Sequence, residues 1–303
     1  MTGGSRASGG PPGWQPRATV IVPVWNGERT IEACLESLLA QDYPRDRFTI
    51  VVVDNRSTDR TPEILRGYGE RIRVVREAKR GPAAARNRGL AEADGDVVAL
   101  TDADCVVDPA WLARIVAPLA DPAVGVVGGR IRSVRPCNAI ELFGEEMIHD
   151  HESAITVWTP PYVITMNWAM RRSLDAEVGG FDEDFIRCED VDLAYRIHAA
   201  GWRLVYAPEA IVSHRNERTY AGLAHEGFLH GLYSVQAVKK HAAMLAAHGH
   251  RSFSARSYVA IWEAVRDGFV GADRPRARCI AVFNAAKKLG KLAGSLRFRH
   301  FEA

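Results

Sequence analysis

The chain has 303 residues, 47% of them hydrophobic and 25% charged, with a formal net charge of +2. This is globular composition, long enough for one large domain or a domain with an extension, and the balanced charge excludes nucleic-acid binding driven by bulk positive charge. No apolar run approaches the roughly 18–20 residues that span a bilayer, which leaves a soluble protein or one resting on a membrane surface.

In chain order, residues 1–17 lack the apolar core of a signal peptide, and their Gly, Pro and Ser content predicts a disordered lead-in. ATVIVPV (18–24) is a short β-branched run, the mark of a strand buried on both faces. Ile31, Leu35, Leu38 and Leu39 have helical spacing within 29–40. FTIVVVD (48–54) is the second strand, and Thr58-Asp59-Arg60-Thr61-Pro62 opens a helix with its body at 64–68. Here Asp59 reads as a helix cap. A strand at 72–77, a helix at 82–93 and a strand at 96–102 follow. Strands alternating with helices over short links predict an α/β fold, a mostly parallel sheet flanked by helices, with ligands at the carboxyl ends of its strands. Beyond a strand at 124–128 the regularity falls. The pattern there gives one long helix at 137–157, an unassigned stretch at 162–170, a helix at 191–200, and two short strands at 203–206 and 210–213. From Tyr220 the chain reads as helical, with a break at 271–275. Five cysteines (Cys34, Cys105, Cys137, Cys188, Cys279) without a CxxC pair predict reduced thiols in the cytoplasm.

The stretch ALTDADCVVD puts Asp102 and Asp104 at the end of a buried strand. Two carboxylates one residue apart repel, and the arrangement is costly without a cation. Mg²⁺ or Mn²⁺ takes oxygen ligands of this kind, one or two carboxylates together with substrate phosphates. The alternative is that Asp102 starts a turn and Asp104 caps a helix at Pro109. The residues alone leave both open.

VIVPVWNGE, VVVDNRSTDRT, GPAAARNRG, LTDADC and CEDVDLAYRIHAAGW occur in this order. Together, over about residues 18–214, they resemble the family-two inverting glycosyltransferases. The resemblance implies a GT-A fold, a Rossmann-like nucleotide-binding domain, and a nucleotide-diphosphate sugar donor. It divides the chain into a lead-in at 1–17, a GT-A domain at 18–219 and a helical carboxyl-terminal extension at 220–303. Within the GT-A domain the donor half is about 18–108 and the acceptor half about 109–219.

The resemblance also implies roles. Pro23, Trp25, Asn26 and Glu28 hold the nucleoside; most members have Tyr at the Trp25 position, and core packing is the other reading. Asp54 contacts the base, and a carboxylate that only accepts suits a ring N–H, as in uracil or guanine, favouring UDP. Its alternative is a turn with Asn55 and Ser57. Arg86 pairs with the diphosphate, Asp102 and Ala103 lie near the ribose or donor sugar, and Asp104, with His214, holds the divalent metal. Glu189 and Asp190 form the acidic pair, with Asp190 as the base that deprotonates the acceptor hydroxyl; helix capping is its alternative. Asp192 belongs to the polar helix face and pairs with Arg196. Gly128 and Gly129 match a flexible acceptor-side loop, and Asn167 and Trp168 another substrate loop. His149 and His151 read as exposed residues pointing apart, and Cys105 as a small buried residue.

No Gln-x-x-Arg-Trp motif of processive synthases is present, so a single sugar transfer is expected. A nucleotidyltransferase is the competing enzyme and an inactive nucleotide- or glycan-binding module the non-enzymatic reading. The basic, Leu-containing stretch 275–300 suggests an amphipathic helix on anionic lipid at the inner face of the membrane, or one packed on the catalytic domain or a second subunit. A homodimer is left open, and nucleic acid is not a partner.

Overall fold

In the computed structural model, which describes residues 14–252 and 255–302, the β-branched runs of the first hundred residues are strands at the places expected. They alternate as β1 (Ala18–Val24), α1 (Ile31–Leu39), β2 (Phe48–Asp54), α2 (Thr61–Gly67), β3 (Arg73–Arg76), α3 (Pro82–Ala91) and β4 (Val97–Leu100). The helical face of α1 buries Ile31, Cys34, Leu35 and Leu38, the stripe that a 3.6-residue period puts on one side. β1 pairs in parallel with β2, from Ala18 opposite Phe48 to Val24 opposite Asp54, and with β4, from Ala18 opposite Val97 to Ile21 opposite Leu100. The register brings the carboxyl ends of β1, β2 and β4 together, and with them the loops after Val24, Asp54 and Leu100.

The chain continues as β5 (Cys105–Val107), α4 (Trp111–Val116), β6 (Val124–Ser133), α5 (Ala139–Phe143), a π-helical turn (Gly144–Ile148) and α6 (His151–Thr156). A 3-10 turn (Thr165–Asn167), β7 (Trp168–Arg171), α7 (Leu174–Val178), α8 (Glu189–Ala199) and β8 (Arg203–His214) follow, then α9 (Tyr220–Lys240), α10 (Ala242–Ala247), α11 (Ala255–Val270) and α12 (Arg274–Phe298). The sheet order is β3-β2-β1-β4-β7-β6-β8-β5. Its first four strands are parallel, whereas β7 pairs antiparallel with β4 and β6, and β5 antiparallel with β8.

Two expectations are corrected. The single helix at 137–157 is three short pieces, because Gly144 packs against the Asn216 side chain and the backbone there widens into a π turn before His149. The two short strands at 203–206 and 210–213 are one, β8, which runs through Pro208. Of the lead-in, residues 1–13 lie outside the described residues, while Trp14 packs on the core and the Pro16 carbonyl accepts from Tyr43 Oη at 2.7 Å.

The described chain divides into two compact units. The first runs to Arg132 and adds His151–Glu183 and Leu193–His214; it contains the sheet and the apolar layers on its two faces. The second holds the helical tail from Arg215 and also takes in Ser133–Asp150 and Asp184–Asp192. Its core joins Ile140 and Phe143 of α5, Leu223 of α9, and Cys279 and Phe283 of α12. Within it α9 and α12 pack backbone to backbone: a Cβ at Gly231 would lie 2.0 Å from the Lys287 carbonyl oxygen, and one at Gly290 2.0 Å from that of Phe228.

Candidate active site

In the first unit, the loop after β1 is stapled to the loop after β2. Asn26 adopts φ of 52°, a left-handed conformation that Asn tolerates better than most residues. Its N–H donates to Ser57 Oγ at 3.0 Å and its Oδ1 accepts from the Thr58 N–H at 2.8 Å. Glu28 Oε2 accepts from the Arg60 N–H at 3.2 Å, and the Glu28 N–H donates to Asp59 Oδ2 at 3.0 Å. The Asn26 and Glu28 side chains thus shape the loop pair. Asp59 Oδ1 accepts from the Thr61 N–H at the start of α2, although the cap position of the helix is Arg60 rather than the expected Asp59. Burial raises the affinity of Asp59 for its proton, but the hydrogen bonds from Thr61 and Glu28 outweigh this and hold the carboxyl below its ordinary range.

Trp25 is 54% exposed, with the Arg80 guanidinium 4.7 Å from its ring centroid. Core packing is therefore excluded for it, and its ring forms a stacking surface at the loop. Pro23 stands opposite Val53 within the sheet. Asp54 is buried and its Oδ1 accepts from the Ser57 N–H at 3.0 Å, the turn arrangement; among the described residues nothing hydrogen-bonds its second oxygen.

The loop after β4 gathers the remaining acids. Arg86 on α3 is buried, and its guanidinium meets Asp102 Oδ1 at 2.8 Å. Arg86, expected at the diphosphate, is here a counter-ion that balances one of the two repelling carboxylates. Ala103 is half-buried against the core. β5 begins at Cys105, which is buried as expected and stands opposite His214 at the end of β8. This register brings His214 Nε2 to 3.4 Å from Asp104 Oδ2. Burial raises the proton affinity of Asp104, yet the hydrogen bond and charge of His214 outweigh it and leave the carboxyl below its ordinary range.

A carboxylate oxygen and an imidazole nitrogen at this separation fit two adjacent corners of a metal polyhedron, whose donors at roughly 2.1 Å from the ion stand about 3 Å apart. Among the described residues no set of three His, Cys, Asp or Glu side chains gathers around one point. The pair therefore suits an ion that takes its other ligands from water and phosphate oxygens.

Four expected acceptor-side residues are placed differently. Gly128 and Gly129 lie inside β6 and are buried, so they are no flexible loop. A Cβ on Gly128 would strike His151, and one on Gly129 would lie 2.2 Å from the Ala210 carbonyl oxygen. Asn167 is 0% exposed. Its Oδ1 accepts from Trp111 Nε1 at 2.9 Å, while its Nδ2 donates to the carbonyls of Arg130 and Ala210 at 2.8 and 2.9 Å. Trp168 is buried in β7 against Phe181. These residues join strands rather than line a loop. His151, expected to be exposed, is buried, with Nδ1 at 2.7 Å from the Gly129 carbonyl and Nε2 accepting from the Ile164 N–H at 2.8 Å.

The acidic pair opens α8 in the second unit. Glu189 is buried, Asp190 is half-buried, and Asp190 Oδ1 accepts from the Val191 N–H at 2.8 Å. Cys188 before them has φ of 65°, a conformation that costs a non-glycine residue of order 1 kcal/mol and that clusters at functional turns. Asp192, expected on the polar helix face, lies in the interior instead. It is fully buried, and its Oδ1 accepts from Lys240 Nζ at 2.7 Å and His241 Nε2 at 2.8 Å. Arg196 donates to the carbonyls of Val178, Gly179 and Gly180.

Residues 19–179 match the family model described as glycosyl transferase family 2. The chain belongs to this family. Its members transfer glycosyl groups, and the sheet with its flanking helices is a GT-A fold. The chain is 29% identical over 203 residues to the glycosyltransferase AglE of Haloferax volcanii, covering 66% of this chain and 67% of that one. It is 31% identical over 225 residues to the beta-monoglucosyldiacylglycerol synthase of Synechocystis, covering 70% of this chain and 46% of the relative. Among solved structures, the mannosyltransferase PcManGT of Pyrobaculum calidifontis, in complex with GDP-Man and Mn²⁺, superposes with a TM-score of 0.67 at 26% identity, covering 94% of this chain and 89% of that one.

Sequence motifs do not mark the ion-pair cluster that joins the segment just before α8 to α9. Arg187 donates to Glu226 Oε1 at 2.6 Å, and His230 Nε2 stands 3.0 Å from the same oxygen. Glu226 and His230 are one helical turn apart on α9, a spacing readable in the sequence. Their partner Arg187, like the Asp192 partners Lys240 and His241, is distant in the chain, so no local pattern announced it.

Proposed function

We propose that the chain is a metal-dependent inverting glycosyltransferase that moves one sugar from a UDP- or GDP-sugar to an acceptor hydroxyl in a single displacement, with Asp190 as general base. The observation that carries the reading is the approach of Asp104 and His214 through the β5–β8 register, a two-donor site that calls for phosphate oxygens to complete it. Asp104 and His214 would hold a divalent ion such as Mn²⁺ or Mg²⁺, which neutralises the charge that builds on the departing nucleoside diphosphate. Arg86 holds the Asp102 carboxylate in place through their 2.8 Å ion pair. The second oxygen of Asp54 is free to accept a ring N–H of uracil or guanine, and Trp25 offers a face for stacking. Asp190 takes the proton from the acceptor oxygen as that oxygen bonds to C1, and the C1–O electron pair leaves with the diphosphate from the opposite face, so the anomeric configuration inverts.

The test pairs two variants. Asp104→Asn should lose Mn²⁺-dependent donor binding in a thermal-shift assay, since stabilisation follows ligand binding by mass action. Asp190→Asn should keep donor binding and lose transfer by about a thousandfold or more, as removal of a general base does. Normal turnover in Asp190→Asn, or full activity of the wild type in chelator, would overturn the reading.

A further inference from the structure

The second unit carries an apolar surface that its own core does not use. α11 turns Ala264 and Gly268 inward and leaves the opposite face bare. Trp262 is 70% exposed, Phe269 71% and Val270 72%, and Val259 and Val265 on the same helix are exposed too. Steps of three, four and seven residues set these side chains within one arc of the helix. On α12, Leu289, Leu292 and Leu296 repeat the pattern, and Leu296 is 85% exposed. Lys288 Nζ lies 4.6 Å from the Tyr258 ring centroid, joining the α12 stripe to the α11 arc. Single exposed apolar residues are ordinary, but a contiguous band of large ones marks an interaction surface.

Charge identifies what the band meets. Residues 255–302 contain ten Lys and Arg against four Asp and Glu, and Arg256, Arg266, Arg297 and Arg299 are exposed beside the apolar arc. A second copy docked face to face would press this cationic surface against itself. An anionic bilayer complements it: cations bind the headgroups, Trp262 and Tyr258 suit the interfacial zone, and Phe269 and Leu296 enter the acyl boundary. Among the described residues no helix is long and apolar enough to cross a membrane, so α11 and the end of α12 would lie in the plane of the surface. The expected basic helix at 275–300 thus supplies one stripe, and α11 supplies the larger face.

We propose that α11 and the carboxyl-terminal end of α12 form a docking surface for anionic phospholipid membranes. The test is co-sedimentation of the full chain with vesicles of phosphatidylcholine alone or with roughly one lipid in three replaced by phosphatidylglycerol. Binding is expected only to the anionic vesicles and should weaken as salt rises. Trp262→Ser with Phe269→Ser should lower the partition coefficient about tenfold or more, with the melting temperature kept, because both side chains face solvent; Leu296→Ser alone should lower it less. Equal binding to neutral vesicles, no binding, or undiminished binding of the double variant would overturn the proposal. So would a dimer seen by light scattering that the same double variant dissolves.

Discussion

Asn167 shows how a polar residue in a substrate-loop position can belong to the scaffold. All three of its side-chain hydrogen bonds go to protein groups, and it is fully buried. Asn167→Ala strands the Trp111 indole N–H and two carbonyls, each worth about 1–3 kcal/mol when left unsatisfied. The expected outcome is a loss of about 3 kcal/mol or more in denaturant unfolding; an unchanged midpoint with altered acceptor preference would return Asn167 to the substrate. Asp192 is the same kind of case. Asp192→Ala leaves Lys240 and His241 facing an emptied buried position, a change that costs about 3 kcal/mol or more. At this scale the sequence displayed its candidate acids plainly, because Asp102 and Asp104, like Glu189 and Asp190, stand within two residues of each other. It hid Asn167, Asp192 and Arg86, whose partners come from distant strands and helices.

Among the elements, α9 is the one that organises the second unit. Glu226 is the group to follow with pH. Burial raises its proton affinity, but the bonds to Arg187 and His230 outweigh this and hold it far below the ordinary Glu range. The folded state therefore releases the Glu226 proton more readily than the unfolded chain. Its contribution is complete above the unfolded value near 4.3 and is lost as pH falls below that toward the folded value. Glu226→Gln should flatten the pH dependence of unfolding stability below about pH 4.5; an unchanged acid limb in urea titrations would contradict this. The contact between α9 and α12 makes a second demand. Gly290→Leu places a side chain where the Phe228 carbonyl already stands, and relief requires the helices to part. Melting should fall by several degrees, as for a loss of about 1–3 kcal/mol. The strands and helices up to Leu100 were legible from period and punctuation. The break in 137–157 was not, since its cause is contact with Asn216, and β8 was divided by Pro208, which the strand in fact accommodates.

For the whole molecule, the fold could be read because five motifs occur in order, three of them at the ends of β1, β2 and β4, and the parallel register brings those ends together. The antiparallel half was less legible: Gly128 and Gly129 resemble a loop in composition, yet they are glycine because a carbonyl and a histidine occupy the space a Cβ would need. The donor reading is tested on the full chain. In a thermal-shift screen with Mn²⁺, UDP- or GDP-sugars should raise the melting temperature and CDP-sugars should not, because cytosine has no ring N–H for Asp54. A shift with CDP-sugars of equal size would remove Asp54 from base selection.

The two grips of α9 also fix how that helix can change. Glu226 and Lys240 are about four turns apart, so they emerge on the same side of the cylinder. Deleting a single residue between them would rotate Lys240 and His241 by about 100° and carry them away from Asp192 while Arg187 stayed held. Side chains along the outward face are free to drift; the spacing between the two anchors is not.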